Sequence, residues 1–213
     1  MNSGFEPFKA AFHDRKSDGG RSVPLPKNVL IDENPEFRAL LNELGGNSLN
    51  LGIYRLLESQ LFEAATDFVA AVFPAWYYSL APFASDWMGR IFAIDGSDRR
   101  LNGERCVSLL DPATRDLLQV PASLTAFHND MLVNEPELPL EAELWKSWLA
   151  IHPQGLGYDE LAGWRRPAFL GGELVVENLE IQPARVYWDI SGQLIVKAFK
   201  LKPGTRIRSV EIQ

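Results

Sequence analysis

Between Trp76 and Val120, four stretches rich in aromatic and branched residues follow one another with only short links, which limits the available folds more than any other feature of the chain. The stretches are Trp76–Leu80, Trp87–Asp95, Glu104–Leu110 and Leu117–Val120. Such composition favours a half-buried pleated surface. Parallel neighbours need a crossover of a dozen or more residues, usually a helix. The links here are turns, such as Asp111-Pro112-Ala113-Thr114-Arg115. An antiparallel meander is therefore expected. The predicted class is α+β, with a central, mostly antiparallel sheet and helices packed at one face and at the ends.

Helical periodicity flanks this region on both sides. Asn34 is placed to cap a helix whose first turn holds Pro35, and Phe37, Leu40, Leu41 and Leu44 share one face until Gly45 and Gly46 stop it. A short strand is expected over Ile53–Leu57. A second helix runs from Ser59 to Phe73, apolar along Leu61, Phe62, Ala65, Phe68, Val69 and Val72, and Pro74 ends it. After the meander, Ser123 caps a short helix reaching Leu132. Another helix is predicted over Pro139–Ile151, carrying Trp145 and Trp148. Gly155, Gly157 and Gly163 mark a loop.

Two regions resist a single reading. Residues 1–28 hold Gly4, Gly19, Gly20, Pro24 and Pro26, which break any period, and are expected to form a flexible N-terminal arm. Residues 29–213 then make one α+β domain. Between Pro183 and Phe199, Val186, Ile190, Leu194 and Ala198 lie four apart, as on a helix. The same segment also alternates about Ser191-Gly192, as in a hairpin, and periodicity does not choose. Ile207–Ile212 reads as a last strand after Pro203-Gly204.

The net charge of −7 argues against nonspecific binding to nucleic acid, which needs a basic surface. It suits solubility or a basic protein partner. Seven acids stand against Lys146 between Asn129 and Glu160, and five bases stand against Glu211 in the last 17 residues. No stretch approaches the roughly 20 apolar residues of a spanning helix, and the first residues lack the apolar core of a secretory signal. A cytoplasmic protein without membrane contact is expected. The single cysteine, Cys106, sits in a strand-like setting and reads as a small core residue.

No chemical motif stands out. The sequence holds no G-x-S-x-G elbow and no phosphate loop. Its three histidines, His13, His128 and His152, have no metal-binding spacing, and His128 reads as a surface or capping residue. No metal or cofactor is expected. Two local features call for a structural role. In Asp86-Trp87-Met88-Gly89-Arg90, Asp86 and Arg90 are placed to pair or to bind backbone at the strand's edge, and Gly89 permits a bulge or the close approach of another chain segment. In Phe169-Leu170-Gly171-Gly172-Glu173, a glycine turn feeds a segment that continues to Glu177 and Glu180.

Ordered blocks of the chain resemble a known bacterial family. They are SLAPFASDWMGRIFAID from Ser79, LLDPATRDLLQVPASLTAFHNDML from Leu109, RPAFLGGELVVENLEIQPARVYWDISGQL from Arg166, and LKPGTRI from Leu201. Together they are similar to the domain found at the C-terminus of type VI secretion immunity proteins, itself similar to the wider SUKH group of α+β immunity proteins. The likeness spans residues 48–213, and the amino-terminal companion domain of many such proteins is not evident. The resemblance implies a helix over 183–199 and a protein without catalytic residues that neutralises a cognate toxin, commonly a nuclease, by direct contact.

Partner contacts are expected at Asp86, Trp87, Glu141, Glu143, Asp159, Glu173 and Glu177, and the toxin is expected to be basic. The residues leave two other readings open. One is an enzyme of unknown class, with Asp86, Asp95, His128, Asp159 and Glu173 gathered in a cleft. The other is a regulatory scaffold docking through its acidic 129–160 segment or its basic tail. The oligomeric state is not legible.

Overall fold

The structure is a computed structural model that describes residues 4–13, 28–97, 99–202 and 205. Its centre is an antiparallel meander. Strands β1 (Ser48–Leu49), β2 (Tyr54–Leu56), β3 (Leu80–Asp86), β4 (Ile91–Asp95), β5 (Arg100–Leu101), β6 (Glu104–Asp111) and β7 (Asp116–Ser123) form one sheet, in which β2, β3, β4, β6 and β7 pair in chain order. The α+β class with a mostly antiparallel sheet holds.

Helices cover both faces of this sheet rather than one. Along β4, Phe92 and Ile94 enter one apolar cluster while Ile91 and Ala93 enter another, as the two-residue period requires. Every residue of β3 and β4 is buried. Over the first face pack α1 (Glu6–Ala11), α2 (Val29–Asp32), α3 (Pro35–Leu44) and the helical stretch α5 (Leu124–Ala126), a π-turn Phe127–Met131, and α6 (Leu132–Asn134). The short α7 (Glu137–Leu140) and α8 (Ala142–Ile151) continue this side. Over the second face pack α4 (Ser59–Val72) and α9 (Ala184–Ala198), while the hairpin of β8 (Glu160–Trp164) with β9 (Leu179–Pro183) joins both clusters, through Leu161 on this side and Ala162, Trp164 and Leu179 on the first. The segment 183–199 is therefore helical.

Several expected boundaries move for local reasons. The stretch Trp76–Leu80 is a turn until Leu80, because the amides of Trp76 and Ser79 bond to the carbonyls of Phe73 and Trp76. The expected strand Trp87–Asp95 starts only at Ile91. Asp86 Oδ1 accepts from the amides of Met88 and Arg90 and folds the chain into a tight turn. Gly89 sits there at φ +82°, where an added Cβ would lie 2.8 Å from Leu161 Cδ2. The helix expected over Pro139–Ile151 is broken at Glu141, which is left-handed at φ 48°. Asn34 and Ser123 cap α3 and α5 as expected, through the amides of Phe37 and Ala126.

The flexible arm is corrected over its described residues. Residues 4–13 are docked: Phe5, Phe8 and Phe12 are buried, Asn129 Nδ2 donates to the carbonyl of Gly4, and Asn50 exchanges bonds with Ala11 and His13. Their phenylalanine spacing of three and four is a helical stripe that the surrounding glycines obscured. Residues 14–27 and the expected strand Ile207–Ile212 lie outside the described residues.

His128 is also corrected. It is fully buried, ringed by Phe5, Phe8, Phe37, Phe83 and Phe127. Its Nδ1 lies 2.8 Å from the carbonyl of Leu124 and its Nε2 lies 3.1 Å from the hydroxyl of Tyr54. A neutral ring donating from Nδ1 and accepting at Nε2 satisfies both contacts. Burial holds its pKa down to about 4.

Candidate functional site

The turn after β3 builds a buried and tightly bonded polar group. Arg90 donates to Asp86 Oδ2 at 2.6 Å, to Glu141 Oε1 at 2.8 Å and to the carbonyl of Pro139 at 2.9 Å. Trp87 donates from its indole to the carbonyl of Leu140 and stacks obliquely on Trp145 and Trp148. Asp86 and Trp87 are fully buried and Arg90 is 5% exposed. This corrects the expectation of a docking role for Asp86 and Trp87. They fasten the β3–β4 turn to the α7–α8 junction, a contact that a charge buried without partners would not survive. Glu141 is only half withdrawn from solvent, and its carboxyl pKa is raised by desolvation.

Another buried cation, Arg55, is fastened by backbone alone. It donates to the carbonyls of Gly52, Tyr158 and Glu160 and clips the β8–β9 hairpin onto β2. Burial pushes its pKa down to about 10.

The remaining predicted contact residues, Glu143, Asp159, Glu173 and Glu177, are exposed, and the fold sets Asp159 at the opposite end of the hairpin from Glu173 and Glu177. Glu143 opens α8 and pairs with Lys146 at 2.5 Å. Asp159 lies beside Glu160, which pairs with Pro183 at one end of the β8–β9 ladder. Glu173 and Glu177 lie in the loop beyond the other end, where Trp164 pairs with Leu179. That loop is stiff. The side chain of Asn178 accepts from the amide of Arg166 and donates to the carbonyls of Arg166 and Glu173. Gly172 is pressed so closely on the loop's neck that a Cβ there would stand 1.8 Å from the carbonyl oxygen of Arg166. The loop thereby holds Leu174, 57% exposed, and Val175, 40% exposed, between the carboxylates of Glu173 and Glu177. Its turn Val176–Asn178 packs on α8, which follows the exposed Leu138 and carries Glu143. Acids around apolar side chains on a preorganised loop form a surface suited to a protein partner with basic groups.

The carboxylates and histidine considered for catalysis do not converge. Asp86 and Asp95 lie toward opposite ends of the β3–β4 pairing, on the order of 20 Å apart at about 3.3 Å per residue. His128 is sealed among phenylalanines, and Asp159 and Glu173 face solvent. Among the described residues no group of three or more His, Cys, Asp or Glu side chains is placed to hold a metal ion. No helix among them is long and apolar enough to cross a membrane.

A groove of about 970 Å3 lies elsewhere, between α4 and α9. Phe68, Trp188 and Gly192 line its inner part, and charged side chains of both helices line it too. Sequence reading did not foresee it, because it depends on two helices more than a hundred residues apart in the chain lying side by side.

No family model and no curated protein matches the chain. Among solved structures, the chain is similar to that of Atu4351 from Agrobacterium tumefaciens, with a TM-score of 0.60 and 13% sequence identity over 89% of this chain and 88% of that one. At that identity the likeness is one of fold.

Proposed function

We propose that this protein is a bacterial immunity protein that binds a basic toxin, such as a nuclease, and neutralises it by direct contact without chemistry. The reading rests on the resemblance of its ordered blocks to type VI secretion immunity domains. One observation carries it to a surface: the stiff 165–178 loop presents Leu174 and Val175 flanked by Glu173 and Glu177 beside α8. Apolar anchors supply affinity once desolvated, and a rim of acids steers a basic partner and raises its on-rate. Asp86 and Trp87 take no part in this contact and serve to hold α7 and α8 in place.

The test is co-expression with the product of the neighbouring gene. The expected result is relief of that product's toxicity and a stable complex, with association slowed by added salt. Glu173→Lys combined with Glu177→Lys is expected to slow association, and Leu174→Asp to speed dissociation. A neighbouring product that is harmless, or that kills equally with and without this protein, would defeat the proposal.

A further inference from the structure

The groove between α4 and α9 differs in charge from the rest of the molecule. The chain carries a net −7, yet the groove is lined by three acids (Glu63, Asp67, Asp189) and three bases (Arg185, Lys197, Lys200). The α4 wall contributes only acids, whereas the α9 side contributes the three bases together with Asp189. Glu63 and Asp67 lie one turn apart on α4, whereas Arg185 stands in the first turn of α9 and Lys200 just beyond its last. Glu63, Asp67, Arg185 and Lys200 are exposed and make no ion pair among the described residues. Between them the surface is apolar and smooth. Ala64, Ala71, Gly192 and Val196 line it, and Val186 is 47% exposed.

We infer that this groove is a self-association surface, seating the same groove of a second copy of the chain with α4 of each copy against α9 of the other. A two-fold contact makes each pairing twice, so an acidic wall that meets a basic wall does so on both sides of the axis. Glu63 and Asp67 of each copy then find Arg185 and Lys200 of the other across the interface. A strongly basic partner meets three cations here and a strongly acidic one meets three anions, so a balanced groove favours its own image. Packed this way, α4 and α9 of the two copies form a four-helix layer, with small residues allowing close approach. The toxin-binding loop lies outside this groove, so the inference stands or falls separately from the proposed function.

Sedimentation velocity on the purified full chain over a concentration series tests the inference. A reversible dimer is expected. Glu63→Lys with Asp67→Lys, and separately Arg185→Glu with Lys200→Glu, are each expected to weaken dimerisation about tenfold or more. All four changes together are expected to restore it. These positions are exposed, and an unchanged thermal unfolding midpoint establishes that each variant is folded. A chain that stays monomeric throughout overturns the inference, as does a dimer indifferent to both reversals. A monomer whose groove variants lose the toxin would assign the groove to the toxin and equally overturn it.

Discussion

Arg90 and Glu141, 51 residues apart in the chain, meet at 2.8 Å, and the same guanidinium grips Asp86 at 2.6 Å inside the protein. The hairpin turn after β3 and the left-handed junction between α7 and α8 are thus fixed by one side chain. Arg90→Met leaves the Asp86 carboxylate buried without its cation. A loss of roughly 3–5 kcal/mol in unfolding free energy is expected in urea titration. Glu141→Gln keeps a hydrogen-bonding oxygen at a half-exposed position and is expected to cost no more than about 1 kcal/mol. Equal losses in the two variants would contradict this ranking.

Stability is expected to fall with acid through His128. Its folded pKa, near 4, lies below its ordinary value of 6.5. Between those values the unfolded chain binds the proton and the folded chain does not, so folding is weakened there as pH falls. The contribution is complete above pH 6.5 and gone below about pH 4, on the order of 3 kcal/mol in all. His128→Gln, which retains hydrogen-bonding capacity toward Tyr54, should flatten this part of the pH profile. A slope unchanged in the variant would refute the assignment.

Phe8 belongs to the core although it sits near the start of the chain. It contacts Tyr54 and His128 edge-on and stacks on Phe12. Phe8→Ala is expected to cost about 3–5 kcal/mol in chemical denaturation. Amide exchange should rise across α1 and around Phe127–Met131. Unaltered stability would mean that α1 is dispensable.

Gly172 has no room for a methyl group. Gly172→Ala forces its Cβ toward the carbonyl of Arg166 and should open the neck that Asn178 closes. The expected outcome is a weaker complex with the proposed toxin partner but a nearly unchanged unfolding midpoint, because the loop is peripheral. Calorimetric titration and thermal unfolding measure the two separately, and full affinity in this variant would count against a preorganised loop.

The meander, α3, α4 and the caps at Asn34 and Ser123 were legible because each rests on neighbours in sequence: a period, a turn, a cap. The pairing of Asp86 with Arg90 was legible for the same reason, being four residues long. The third member, Glu141, was singled out as an acid for a partner, because nothing local ties it to a cation 51 residues away. His128 was misplaced in the same manner. Its polar ring suggests the surface until Tyr54 and Leu124 are seen to satisfy both nitrogens. Among the expected contact residues, the loop acids Glu173 and Glu177 proved accessible, whereas Asp86 and Trp87 did not. Burial on both faces of a sheet is a tertiary property, and an Asp-Trp pair at a strand end reads alike inside or out.

The docking of α1 imposes an order on synthesis. Gly4 and Phe8 bond to Asn129, 125 and 121 residues downstream. Phe5 and Phe8 also pack on His128, so their shelter is complete only once the segment around Asn129 has been made. The meander, made of near neighbours, is able to assemble in the meantime, and the amino-terminal helix closes over it afterwards.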